Sequence, residues 1–155
     1  MGGQYAAKTE VTSERSRSEI ERILTRYGAS RFAYGWDEAG AVIAFFAHDR
    51  NIRFVLPLPD RQDREFTHHS RGLRTSSAAQ EAYEQAVRQK WRALVLVIKA
   101  KLESVASGIV TFETEFLAYT VLPSGRTVAE EITPAVDQAY LTGAVAPLQI
   151  SRGPA

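Results

Sequence analysis

Apolar positions along the chain recur first with a helical period, then in alternation, then with a helical period again. Ile20, Ile23, Leu24 and Tyr27 fall at i, i+3, i+4 and i+7 and form one stripe. Ser16 and Glu19 stand in front of it with the spacing of a capping box, in which each side chain satisfies a backbone N–H that a helix start leaves orphaned. Gly28 follows as a left-handed stop, so the pattern predicts a helix over residues 17–27. Three runs rich in aromatic and β-branched residues come next, at 31–36, 41–47 and 52–58. In the third, Ile52, Phe54, Leu56 and Leu58 alternate with Arg53, Val55 and Pro57, as in a strand with one buried face and a proline near its end. A three-stranded meander is expected.

Residues 60–75 show no apolar periodicity, and a connection of that length without structure of its own is usually functional or disordered. Ser77 and Gln80 form a second capping box and open a helical pattern that runs to Gly108, roughly 30 residues or ~45 Å at the helical rise. Val87, Trp91, Leu94, Val95, Ile98, Leu102 and Val105 share one arc of it, and Arg88, Arg92 and Lys99 the opposite arc. A stripe of Ala79, Ala82, Ala86, Ala93, Val97 and Ala100 lies between them. Small residues allow close approach, so this helix is expected to be packed on two sides, by its own chain or by a second copy in a homodimer.

Thr111 is expected to cap a helix from Phe112 to about Tyr119, and Pro123, Ser124 and Gly125 to make a turn. Thr127 and Glu130 form a third capping box, and Thr133 before Pro134 predicts a separate helix over 134–141 that ends at Gly143. The expected fold class is α+β, with a three-stranded antiparallel meander packed on one face by an N-terminal helix and one long helix. The expected organisation is a single domain with an α-β-β-β-α core at 16–107, a small C-terminal helical subdomain at 111–143, and flexible segments at 1–12 and 147–155.

Composition narrows the class without naming an activity. Of 155 residues, 45% are hydrophobic and 24% charged, values of an ordinary globular domain long enough to need no staple. The chain has no cysteine, which removes disulfide scaffolds, Cys-ligated zinc, iron–sulfur clusters and thiol nucleophiles, and fits a reducing, cytoplasmic setting. Nothing reads as a signal peptide, and the longest apolar run, 93–98, is far below the ~20 residues that span a bilayer.

Charge is uneven, although the total is +1. Residues 1–49 carry −1 (6 basic, 7 acidic), 50–101 carry +6 (11 basic, 5 acidic) and 102–155 carry −4 (2 basic, 6 acidic). The basic middle offers Arg61, Arg64, Arg71 and Arg74 from the loop and Arg88, Arg92 and Lys99 from the long helix as phosphate contacts, with Phe66, Tyr34 and Trp36 nearby as stacking platforms if exposed. Against this stands the commoner arrangement, a solvated charged helix face with the aromatics buried.

Signatures of phosphate-cradling loops, zinc hydrolases and serine hydrolases are missing, so the chemistry leans away from an enzyme, and no cofactor is expected. His68 and His69 with Asp60 or Asp63 would be needed for a metal site, with His48 the one histidine left. Glu113 and Glu115 are better read as favourable charges at a helix start than as an acid/base pair. Asp37 and Glu38 read as turn chemistry.

The stretches 52–60 (IRFVLPLPD), 91–103 (WRALVLVIKAKLE), 111–118 (TFETEFLA) and 121–123 (VLP) resemble small uncharacterised proteins encoded by bacteriophages and prophages, over most of the chain. That resemblance implies a context and carries no activity, cofactor or catalytic residue with it. The α-β-β-β-α order is similar to the double-stranded-RNA-binding domain in topology, although the second helix here is much longer and follows a longer connection. The expectation that results is a non-enzymatic accessory protein that binds nucleic acid through the basic loop and helix face. The alternative is a factor that engages or inhibits a host protein through the Ala-rich helix face or the acidic C-terminal helices.

Overall fold

The computed structural model of the chain describes residues 2–37, 40–150 and 153. Three antiparallel strands, β1 (Arg31–Asp37), β2 (Gly40–Ala47) and β3 (Arg50–Pro57), form a sheet in the order β1-β2-β3. The register sets Tyr34 beside Ile43 and Ile43 beside Phe54, and likewise Phe32, Phe45 and Ile52 in one row. The period-2 geometry thereby gathers Ala41, Ile43, Phe45, Ile52, Phe54 and Leu56 on one buried face. The β1–β2 turn, where Glu38 falls, lies outside the described residues.

Two helices cover that face. In α3 (Ser76–Ala106), Tyr83, Val87, Trp91, Leu94, Val95, Ile98 and Leu102 are buried, as the 3.6-residue period requires. Trp91 is fully buried, with its ring centroid 5.7 Å from that of Tyr34. Its neighbour α1 (Gly2–Arg26) buries Ile20, Ile23 and Leu24. Among the described residues no helix is long and apolar enough to cross a membrane.

The helix boundaries correct three expectations. α1 spans Gly2–Arg26, so it begins well before residue 17, and the 2–12 backbone expected to be flexible is helical. The Ser16–Glu19 box lies inside it: no glycine or proline occurs from Gln4 to Tyr27 to stop the helix, and Ser13 is fully buried. The start of α3 is capped by Thr75, whose hydroxyl accepts from Ala78 N at 3.2 Å, two residues ahead of the expected Ser77. Gln80 is instead held by Arg61 and Glu84.

The 60–75 connection is ordered as well. A single helical turn, α2 (Arg64–Thr67), leads into a two-residue hairpin of β4 (His68–His69) and β5 (Gly72–Leu73). Phe66 supplies the organising contact, buried edge-on against Tyr83 with centroids 5.5 Å apart.

The C-terminal part is built onto the core. Thr111 caps α4 (Phe112–Glu115), accepting from Thr114 N at 3.3 Å. Phe112 and Phe116 are buried, and Phe116 meets Phe45 and Phe54 edge-on. A 3₁₀ turn at Leu117–Tyr119 follows, then Thr120 and Val121 pair with the outer edge of β3, where Val121 N donates to Asn51 O at 2.8 Å.

The final helix is continuous. α5 (Val128–Thr142) starts with the expected Thr127–Glu130 box and ends at Gly143, whose φ of 68° is the left-handed cap, yet Pro134 sits inside it and starts no new helix. Proline costs a helix the N–H to the carbonyl four residues back. That carbonyl, Glu130 O, is taken by the Arg126 guanidinium at 2.7 Å. The helix therefore passes through the proline.

Candidate nucleic-acid interface

The basic side chains fall into two groups once their partners are known. Arg50 pairs with Glu113 at 3.8 Å, Arg53 with Glu130 at 3.1 Å, Lys101 with Glu115 at 3.1 Å and Arg126 with Glu131 at 3.3 Å. The acidic C-terminal segment thus folds back on β3 and the end of α3 and neutralises part of the basic block there. Glu113 and Glu115 are accounted for by these pairs.

Arg88, Arg92 and Lys99 belong to the other group. Each is exposed, along one edge of the buried arc of α3, where Arg88 shares a line of the helix with buried Val95 seven residues on, and no hydrogen bond or ion pair to them occurs among the described residues. α1 adds a second row that the sequence reading passed over. Arg15, Arg22 and Arg26 are exposed and fall within about 40° of one another at 100° per residue, opposite Ile20 and Leu24. The Tyr27 hydroxyl donates to Glu103 Oε2 at 3.4 Å, which ties the C-terminal ends of the two helices together. Both rows therefore lie on the outer surface of the helical layer. The i, i+7, i+11 spacing of these arginines was visible in the sequence, hidden by the net negative charge of residues 1–49.

The loop arginines divide. Arg61 is stacked 4.1 Å over the Tyr83 ring and hydrogen-bonded to Gln80, and Arg74 Nε donates to the His68 carbonyl at 3.0 Å. Arg61 thus braces the connection onto α3, and Arg74 braces the two arms of the hairpin against each other. Arg64, in the first turn of α2, and Arg71, between β4 and β5, are exposed and flank the N-terminal half of α3. The seven expected contacts thus resolve into three on α3, two beside it and two braces.

Stacking platforms are not offered by the expected aromatics. Phe66 is buried, Tyr34 is sandwiched between Trp91 and the Arg17 guanidinium at 4.2 Å, and Trp36 packs half-buried on the core.

His68 and His69 are consecutive on a strand, so their rings leave opposite faces. His68 Nδ1 lies 2.7 Å from Thr67 Oγ1, and His69 Nδ1 accepts from Arg71 N at 3.0 Å. No group of three or more metal-ligating side chains converges among the described residues. Burial raises the Tyr83 hydroxyl pKa, with the Arg61 guanidinium opposing that rise.

No protein-family model, curated protein or solved structure matches the chain. The geometry alone carries the functional argument.

Proposed function

We propose that the protein is a non-enzymatic, phage-type accessory factor that binds nucleic acid along the outer surface of its helical layer. The observation that carries this is the contrast between the paired basic residues near the C-terminal segment and the unpaired row of Arg88, Arg92 and Lys99. Surface cations left without carboxylate partners are free to displace counterions from a phosphate backbone. Arg15, Arg22 and Arg26 add exposed cations on α1, and Arg64 and Arg71 add two more beside the N-terminal half of α3. Backbone contact without base stacking gives affinity with little sequence preference.

The test is fluorescence-anisotropy titration of labelled single- and double-stranded DNA and RNA at several salt concentrations. Binding is expected to weaken steeply with salt. Losing Arg88, Arg92 and Lys99 together should flatten the log–log slope by roughly 0.9 per contact on duplex DNA or 0.7 on single strands. Replacing Arg61 should lower stability and leave that slope in place. A complex whose affinity ignores salt, or no complex at low salt, would remove the proposal.

A further inference from the structure

The last helix packs loosely on the body: Val128, Ile132, Ala135 and Ala139 are half-buried, and Val136, Tyr140 and Leu141 are left exposed. No residue of α5 is buried, and Tyr140 and Leu141 are 87% and 79% exposed. Its N-terminal end is fixed at the sheet edge by Arg53, which pairs with Glu130 and donates to the Gly125 carbonyl, and the 3₁₀ turn is the main element it packs on. An exposed apolar face on a rooted, loosely packed helix has the form of an interaction arm.

The charge of the arm identifies its seat. Residues 127–150 contain no Lys or Arg; Asp137 has no partner among the described residues, and the last turn of α5 carries no cation to meet its negative end. On α3, Leu96 is 66% exposed beside exposed Ala93, Val97 and Ala100, and Arg92 and Lys99 border this apolar strip. The two faces match in both respects, apolar against apolar and acidic against basic.

We propose that α5 of one copy of the chain lies along the outward face of α3 of a second copy. Val136 and Tyr140, one helical turn apart, cover Leu96 and Val97, while Asp137 on the flank of that pair and the C-terminal end of α5 face Arg92 and Lys99 of the other copy. The contact joins two different surfaces, so it closes into a pair only if it is made reciprocally. It stands independently of nucleic-acid binding, although Arg92 and Lys99 would serve both and an arm would compete with a phosphate backbone for them.

Sedimentation velocity or light scattering after size exclusion, over a range of protein concentration and without nucleic acid, tests this directly. The wild-type chain is expected to exceed the mass of one copy. Leu96→Glu and Tyr140→Glu should each return it to a single copy with unchanged far-ultraviolet dichroism. Mixing these two variants should restore association, because the intact arm of the first meets the intact α3 face of the second. Val97→Glu and Val136→Glu provide the same pair if either variant misfolds. A wild-type chain that stays single at the highest concentration overturns the proposal. So does a mixture that stays dissociated, or a single variant that stays associated: Tyr140→Glu would if α3 paired with α3, and Leu96→Glu if α5 paired with α5.

Discussion

The guanidinium of Arg126 donates to the backbone carbonyl of Glu130 at 2.7 Å, supplying the hydrogen bond that Pro134 cannot. The same side chain pairs with the nearly buried Glu131 carboxylate at 3.3 Å. Arg126→Ala leaves the Glu130 carbonyl without this donor and removes the ion pair to Glu131, a loss of about 1–3 kcal/mol. Because α5 packs on so little, the loss should appear as faster hydrogen exchange within α5 and leave the sheet protected. Adding Pro134→Ala returns an N–H to Glu130 O and should recover part of the protection. Equal exchange in the single and double variants would show that the proline is not the reason for the contact.

Tyr83 makes stability depend on alkaline pH. Its folded-state pKa lies above the ordinary value of 10.0, because burial penalises the phenolate more than Arg61 favours it. The folded protein therefore holds that proton more tightly than the unfolded chain. The stabilisation is complete below the ordinary tyrosine value and is lost as pH rises through the raised one. Denaturation midpoints compared at about pH 8 and about pH 11 should fall less in Tyr83→Phe than in the wild type, since tyrosine ionises near pH 10. Parallel declines would place the alkaline sensitivity elsewhere.

Phe116 tests whether the C-terminal part folds with the sheet. It is fully buried, edge-on to Phe45 and Phe54. Phe116→Ala should cost about 3–5 kcal/mol, the range for an emptied aromatic site. The whole chain should still unfold in one transition. A variant that frees residues 111–143 while the sheet keeps its midpoint would make this part an appendage.

The turn between β2 and β3 carries avoidable strain. His48 and Asp49 both lie in the left-handed region, at φ of 50° and 59°, as a two-residue hairpin turn of this kind requires. His48 recovers part of the cost by stacking 4.3 Å from Phe112. Asp49→Gly should raise stability by a few tenths to about 1 kcal/mol, which is up to roughly 2–4 °C for a chain of this size. A lower melting temperature would mean that the Asp49 side chain contributes more than its backbone costs.

Local patterns told most where one residue type decides the outcome. The alternation of Ile52, Phe54 and Leu56 announced β3, and the Thr127–Glu130 box announced the start of α5. The same pattern at Ser16 and Glu19 misled, because nothing in it says whether a helix has already begun upstream. Pro134 read as a boundary because its compensating donor, Arg126, becomes visible only as a contact. The 60–75 segment looked structureless because a four-residue helix and two-residue strands are too short to show a period. For the candidate site, charge counts found the basic block, but only the fold separates Arg61 and Arg74, used as braces, from Arg88, Arg92 and Lys99, which make no hydrogen bond or ion pair among the described residues.

Thr120 and Val121 occupy two positions along the outer edge of β3. An unpaired strand edge is a template on which any other strand can grow. The guard at this edge is encoded more than sixty residues after the strand it protects. During synthesis, β3 emerges with its edge bare and stays so until the distant segment arrives. A chain truncated before Thr120 would keep that edge open, so aggregation through added strands is the hazard that this short pairing holds off.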